Sequence, residues 1–386
     1  MPLFLISFLL VFSSFHAYFF LRLQAALCLG KAARATVLLV LLAGILAPVA
    51  VRVLEMRGWW QTATVLAWMG YTWMAVVFLF ATAAAVLDLT RLVLLASRRL
   101  AGWPLPVWGP GPALTVPLLL ALAATTQGLV AAGHVRVERV SIRTTRLSPA
   151  DGPLRVAQIS DCHLGLLNRR AFLKNVITLV QAARPDLVVS TGDLVDAPMD
   201  RLPELAADLA ALTPPLGKLA VTGNHEYYVG VDQALDFTRR AGFRVLQGEV
   251  VEAGPLAVAG VDDATAAAFG QQPSLPEEAL LATAPASRFR LFLKHRPQVH
   301  PASLGRFDLQ LSGHTHKGQI FPFSIVTWLY YPVHAGVLAP VDGCFLYVSR
   351  GTGTWGPRIR FLSPPEITII DLVPAGLAGV APEPSA

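Results

Sequence analysis

Hydrophobic positions along this 386-residue chain change rhythm once. Up to residue 133 they form long unbroken runs; beyond it they come in short blocks separated by polar turns. Residues 2–21, 35–51, 58–87 and 100–133 carry no formal charge. A bilayer core takes roughly 20 apolar residues of helix, with a range of about 17–25. Four transmembrane helices are therefore predicted within a domain covering residues 1–133, at 2–21, 35–54, 62–86 and 113–132. The second contains Pro48, which a spanning helix tolerates when its neighbours satisfy the freed carbonyl. Trp59, Trp60, Trp103 and Trp108 lie near the proposed ends, where interfacial anchors belong. The first run has neither the basic start nor the small-x-small site of a cleaved signal, so it is read as a retained helix. His16 within it is read as a helix-packing residue.

Residues 134–153 are expected to be a connector with a strand-like start, HVRVERVSI. The rhythm then alternates. LRVAQIS predicts a strand ending at Asp161, 169–183 has helical spacing, and DLVVSTGD is a buried strand. A helix over 201–212, a strand KLAVTGNHE and a helix near 231–241 follow. RVLQGEVV, PLAVAGVDD, FRLFLKHRP, FDLQLSGHTH, GCFLYVSR and EITIIDL supply later strands. The Ala- and Pro-rich segment 264–286 is expected to be a mobile cover, and 374–386 a disordered tail. Alternation first and mostly strands later predicts an α/β domain over 154–373, with two packed sheets flanked by helices.

Charge sharpens the division. Residues 1–133 hold eight Lys/Arg and two Asp/Glu, so the whole net charge of +6 belongs to them; the remaining 23 of each sign cancel. The later domain has no basic run or stripe, and nucleic-acid binding is not expected. Cys28, Cys162 and Cys344 make no disulfide framework. Cys162 is expected to face the core.

The chemistry lies in the polar ends of the predicted strands: ISDCH, STGD, TGNHE, LKHRP and SGHTH. They carry Asp161, His163, Asp193, Asn224, His295, His314 and His316, with His225 directly after the Asn. On an extended strand, residues two apart share a face, so Asp161 and His163 are expected to aim at one point. A carboxylate has two oxygens, so Asp193 can serve two cations at once. Such a nitrogen and oxygen set suits Mn, Fe, Zn or Co better than Ca. Two divalent cations side by side are the usual machinery for attacking a phosphate ester. Ser160 and Cys162 flank Asp161, but the chain has no G-x-S-x-G elbow for a nucleophilic serine.

In this order, D-x-H, G-D, G-N-H-E and G-H-x-H resemble the calcineurin-like metallophosphoesterase superfamily, over about three-fifths of the chain, residues 150–372. GHTHKGQI and VSRGTG–PPEI look most like its membrane-attached bacterial branch of YkuE and YaeI type. The resemblance implies two divalent ions (Mn, Fe, Zn, Co or Mg), one held by Asp161, His163, Asp193 and His316. The second would be held by Asp193, Asn224, His295 and His314. It also implies His225 as the catalytic histidine, with Asp196 orienting it and Glu226 competing for that role. Lys317 departs from the pattern, standing where GHTHGGQ has its first Gly; it is expected to touch substrate phosphate or point to solvent.

The expectation is a membrane-anchored phosphoesterase acting on a phosphate ester or pyrophosphate, with a lipid-linked or envelope substrate and the bilayer as its partner. The alternative is a catalytically silent membrane scaffold that keeps the fold. Spans nearly free of ionisable groups argue against a transporter. Loop charges count six against two in favour of outward-facing ends, until Arg136, Arg139, Arg143 and Arg146 level the tally. The expected location is a bacterial cytoplasmic membrane, with the catalytic domain on its outer side.

Overall fold

A computed structural model of the protein describes residues 2–101, 108–198, 203–271 and 275–376. The proposed Trp103 anchor, residues 272–274 of the proposed cover and positions 377–386 of the predicted tail lie outside them. The chain divides into two compact units, Met1–Val130 with Gly356–Phe361, and Ala131–Trp355 with Leu362–Ala386.

The first unit is helical: α1 (Pro2–Leu27), α2 (Lys31–Met56), α3 (Trp60–Ala101) and α4 (Pro110–Ala132). All four are long and apolar enough to cross a membrane. The first three run past the apolar stretches that predict them, because a helix can continue through a charge that a bilayer excludes; α4 stays within its uncharged run. The 42 residues of α3 rise about 63 Å at 1.5 Å each, roughly twice a hydrocarbon core of about 30 Å. Its later turns carry Asp88, Arg91, Arg98 and Arg99. There Tyr18 of α1 donates to Asp88 at 2.5 Å, and Arg22 pairs with the same carboxylate. His16 donates through Nδ1 to the Phe12 carbonyl at 2.8 Å and accepts from Trp73 Nε1 at 3.0 Å. Interhelical bonds of this kind hold helices together where water cannot.

The second unit begins with β1 (Arg136–Thr144), β2 (Leu154–Ile159), α5 (Arg170–Ala183), β3 (Leu187–Ser190), α6 (Pro203–Ala210) and β4 (Lys218–Ala220). It continues with α7 (Asn224–Val229), α8 (Val231–Arg240), β5 (Arg244–Val245), β6 (Glu249–Ala253), β7 (Leu256–Gly260) and α9 (Glu277–Ala282). It closes with β8 (Phe289–Leu293), β9 (Leu309–Ser312), α10 (Phe323–Tyr330), β10 (Gly336–Val341), β11 (Cys344–Val348) and β12 (Glu366–Pro374). Two six-stranded sheets result, in the orders β1-β12-β2-β3-β4-β5 and β10-β11-β9-β8-β7-β6. Strands β2 to β5 run parallel, as do β7, β8, β9 and β11.

Pleating divides each buried strand between two cores. In β3, Val188 joins Phe172, Val176 and Leu205 under the helices, whereas Leu187 and Val189 join Leu291, Leu309 and Leu311 between the sheets. This double burial is why DLVVS is continuously apolar. On the far face of the second sheet, Phe292, Phe307, Leu281 and Cys344 form a smaller cluster. Cys162 lies in the helix-side core.

Several local expectations differ from the structure. RVLQGEVV is not one strand: β5 belongs to the first sheet and β6 to the second, and the chain turns between them at Gly248, φ 79°. KLAVTGNHE leaves extended conformation after Ala220, and its polar end opens α7 instead. Within the expected connector, β1 pairs with β12 over nine residues as an edge strand. The described part of 264–286 is a 3₁₀ turn, Ala264–Phe269, and α9, with Ala266, Leu280 and Leu281 buried. Their burial is what orders a segment whose composition reads as loose. Helix α10 and strand β10 come from apolar sequence whose period matches neither template.

Candidate metal centre

Loops leaving the C-terminal ends of β2, β3, β8 and β9 converge with the N-terminus of α7, which follows β4. This is where open α/β sheets generally bind ligands. The first local surprise is backbone conformation. Asp161 and His163 do not converge by strand alternation, because β2 ends at Ile159 and both adopt left-handed φ, 54° and 46°. Asp193, His314 and His316 do the same, at 50°, 70° and 48°. Each such non-glycine residue costs on the order of 1–3 kcal/mol, and such strain clusters at functional sites.

Specific bonds hold the strained loops. Asp161 N–H donates to the Gly192 carbonyl and His163 N–H to the Asp193 carbonyl, both at 3.0 Å. Asn168 Nδ2 donates to the carbonyls of Cys162 and Thr354 at 3.1 and 3.0 Å. Glu226, at the third position of α7, accepts from the N–H groups of Gly223, Leu194, Asp193 and Val195 at 2.7, 2.8, 3.0 and 3.3 Å. Burial and then the Asp193 charge raise its pKa, yet four donors aimed at two oxygens favour the carboxylate. Glycine is sterically required here. A Cβ on Gly223 would lie 2.2 Å from Asp193 Oδ1, and one on Gly313 would lie 1.9 Å from Ser160 Oγ.

Asp193 occupies the centre. Its Oδ1 accepts the His225 N–H at 2.8 Å. Its Oδ2 lies 3.3 Å from His295 Nε2 and 3.8 Å from His163 Nε2, between two groups of imidazoles. On one side Asp161, His163 and His316 form a cluster, with His316 Nε2 3.4 Å from Asp161 Oδ1. On the other, Asp193, His295 and His314 do so. His295 donates Nδ1–H to the Thr191 carbonyl at 2.8 Å, which turns Nε2 inward. Asn224 opens α7 directly before His225 and is buried.

These residues fit a pair of cations. His163 Nε2 faces His316 Nε2 at 3.0 Å, and His295 Nε2 faces His314 Nδ1 at 3.1 Å. Asn224 Oδ1 and His163 Nδ1 are buried without a hydrogen-bond partner among the described residues. Buried polar atoms left this way are costly. Burial, followed by the His225 charge, pushes His163 down to about 4. Burial, followed by His295, likewise lowers His314. Both rings are therefore neutral near pH 7, as metal ligation requires. At His295 burial is outweighed by the Asp193 charge, which pushes the ring up to about 10, a proton that a bound cation would displace. Four imidazoles, two carboxylates and an amide oxygen form a set for divalent transition ions.

His225 has a different setting. Its Nδ1 donates to Asp196 Oδ1 at 2.6 Å. Burial alone would lower its pKa, but the Asp196 and Asp193 charges outweigh it and push it up to about 9. Glu226, considered as an alternative partner for this ring, bonds backbone instead. The Tyr228 and Trp355 rings lie 5.4 and 6.1 Å from the His225 ring, centroid to centroid. Lys317 is half-buried with φ 49°, a conformation glycine adopts without strain, which accounts for the Gly that GHTHGGQ carries there. Burial pushes the Cys162 thiol far up, so it is no nucleophile.

Sequence reasoning overlooked a buried hydroxyl chain beneath the centre. Gln158 Nε2 donates to Thr191 Oγ1 (2.9 Å), Thr191 to Ser160 Oγ (2.7 Å), and Ser160 to Asp161 Oδ2 (2.5 Å). The only signal available was the position of Ser and Thr next to each motif Asp.

A model of the family described as calcineurin-like phosphoesterase matches residues 154–318. An uncharacterized metallophosphoesterase of Aquifex aeolicus is 41% identical over 241 residues, 62% of this chain and 92% of that protein. The metallophosphoesterase YkuE of Bacillus subtilis is 34% identical over 236 residues, 56% of this chain and 78% of its own length. The Danio rerio transmembrane protein with metallophosphoesterase domain is 31% identical over 269 residues, 66% of this chain; the alignment spans only 61% of that relative.

Proposed function

Because this chain belongs to the calcineurin-like metallophosphoesterase family, we propose that it is a membrane-anchored, two-metal phosphoesterase whose substrate is a lipid-linked or envelope phosphate ester or pyrophosphate. The single carboxylate oxygen of Asp193 lying between two imidazole clusters carries the reading. Asp161, His163, Asp193 and His316 would hold one divalent ion, and Asp193, Asn224, His295 and His314 the other. When bound, such a pair neutralises phosphate oxygens and lowers the pKa of a water.

The chain's own residues do the rest. Asp193 keeps Oδ2 inward because the His225 N–H holds Oδ1. Asp196 fixes the His225 ring through Nδ1, leaving Nε2 to give a proton to the leaving oxygen. The Asp196 carboxylate, bonded to Nδ1, favours the protonated ring. Glu226 holds the Asp193 loop by its backbone. Lys317 supplies a cation on the loop that carries His314 and His316.

Four apolar helices and the transmembrane Danio rerio relative support a membrane protein. Holding the enzyme at a bilayer raises its effective concentration for lipid-borne phosphates. The proposed site is the outer side of a bacterial cytoplasmic membrane; the first three loops favour it six to two, and Arg136, Arg139, Arg143 and Arg146 level that count. Protease accessibility in intact cells tests the sidedness. The function is tested by hydrolysis of bis(4-nitrophenyl) phosphate with manganese, before and after chelation. Turnover that survives complete metal removal would exclude the proposal.

A further inference from the structure

Helix α10 reads FSIVTWLY, and none of its residues is buried. Phe323, Ile325, Val326, Trp328, Leu329 and Tyr330 are each at least 50% exposed. Phe321 before the helix and Val337, Leu338 and Val341 of β10 extend the exposed apolar surface. Between Lys317 and Asp342 the sequence contains no Asp, Glu, Lys or Arg. At about 100° per residue, the large apolar side chains of α10 sweep an arc of roughly 220°. Ser324 and Thr327 fill the remainder. The Ser324 side is the packed one, since a Cβ on Gly318 would lie 2.4 Å from Ser324 Cα.

We propose that α10 and β10 form an interfacial membrane-binding element, with which the α/β unit seats itself among the headgroups and upper acyl chains of a bilayer. Three observations select lipid as the occupant. An arc of roughly 220° is about twice the stripe by which a helix faces a protein core; a flat partner covers one side of it, whereas lipid surrounds it. The chain itself has four helices able to cross a membrane, so the unit is tethered beside a bilayer at high effective concentration. Trp328 and Tyr330 are residue types concentrated at the headgroup level, and no charge has to be desolvated there.

This element is built onto the candidate centre. Both ends of α10 are held by residues 314–318: Gly318 packs on Ser324, the Tyr331 ring meets the His314 ring edge-on at 5.6 Å, and Thr315 donates to the His334 carbonyl at 2.7 Å. Seating α10 in the interface therefore brings the His314–His316 loop to headgroup depth. The substrate class that follows is a phosphate ester carried in the bilayer. That consequence rests on the phosphoesterase reading; the docking does not.

The test uses full-length protein carrying Cys28→Ser, since Cys162 and Cys344 are buried. Leu329→Cys bears a nitrobenzoxadiazole label, and the protein is reconstituted in phosphatidylethanolamine–phosphatidylglycerol vesicles containing a shallow spin-labelled lipid. Quenching at position 329 should exceed, by about threefold or more, that of a label at Asp236→Cys on α8. Equal quenching, or a 329 label shielded only by cross-linking between copies, overturns the docking. A second variant, Ile325→Glu with Leu329→Glu, should hydrolyse soluble bis(4-nitrophenyl) phosphate normally. It should lose about fivefold or more on a fluorescent phosphodiester lipid in the same vesicles, and equal rates on both would overturn the substrate class. If parent protein cleaves neither ester, the phosphoesterase reading fails while quenching still decides the docking.

Discussion

The candidate metal centre and helix α10 are neighbours in sequence and break the same rule in opposite directions. In the centre, Asp161, Asp193 and the rings of His163 and His295 are buried, although charged and polar groups seldom are. In α10, six large apolar residues face outward. Neither region belongs to the cores beneath the helices and between the sheets. The polar corner is built from strained backbone and buried lone pairs, the apolar helix from side chains that water disfavours. Both work against the stability of the isolated fold, and such places are where function concentrates. The difference between them lies in the missing partner, a cation for one and a lipid surface for the other.

The comparison breaks most severely at Asp193. Asp193→Asn is expected to reduce bound metal and to lower turnover beyond the roughly 10²–10³-fold typical of losing one electrostatic contact. Metal analysis alongside ester hydrolysis checks this, and two retained ions per chain would refute the shared-carboxylate role. His225→Ala should cost about 10²–10⁴-fold on an unactivated ester while leaving metal content unchanged. Asp196→Ala should act in the same direction by about 10–100-fold, and Asp196→Asn should recover little of that loss. A metal loss in either variant would move that residue into the ligand set.

Stability sharpens the contrast further. Glu226→Ala leaves four backbone N–H groups without their acceptor and should destabilise the α/β unit by about 2–4 kcal/mol, seen as a lower thermal midpoint in detergent. Ile325→Ser on α10 should change stability by less than about 0.5 kcal/mol, because its side chain is exposed. Between these lies Lys317→Gly, expected to raise stability by about 0.5–1 kcal/mol through relief of a left-handed lysine, less the entropy of the new glycine. Unchanged turnover in that variant would leave Lys317 no part in substrate binding.

Much of this molecule is written locally. Uninterrupted apolar runs are enough to specify membrane-length helices, because each residue of such a run meets the same solvent. DLVVS reads as a doubly covered strand for the same reason. The identities of Asp161, His163, Asp193, Asn224, His295, His314 and His316 mark donors for a metal because oxygen and imidazole chemistry belongs to the side chain itself. Tertiary structure decided what depends on partners distant in sequence. Only there do Asp161 and His163 adopt left-handed backbone, held by carbonyls from the β3 loop rather than by strand alternation. Only there does Glu226 bond four amides, and only there does RVLQGEVV change sheets. The exposure of α10 was equally hidden, because an apolar octapeptide reads alike whether a core covers it or nothing does. Periodicity records what each residue prefers; which neighbour arrives to meet that preference is settled by long-range packing.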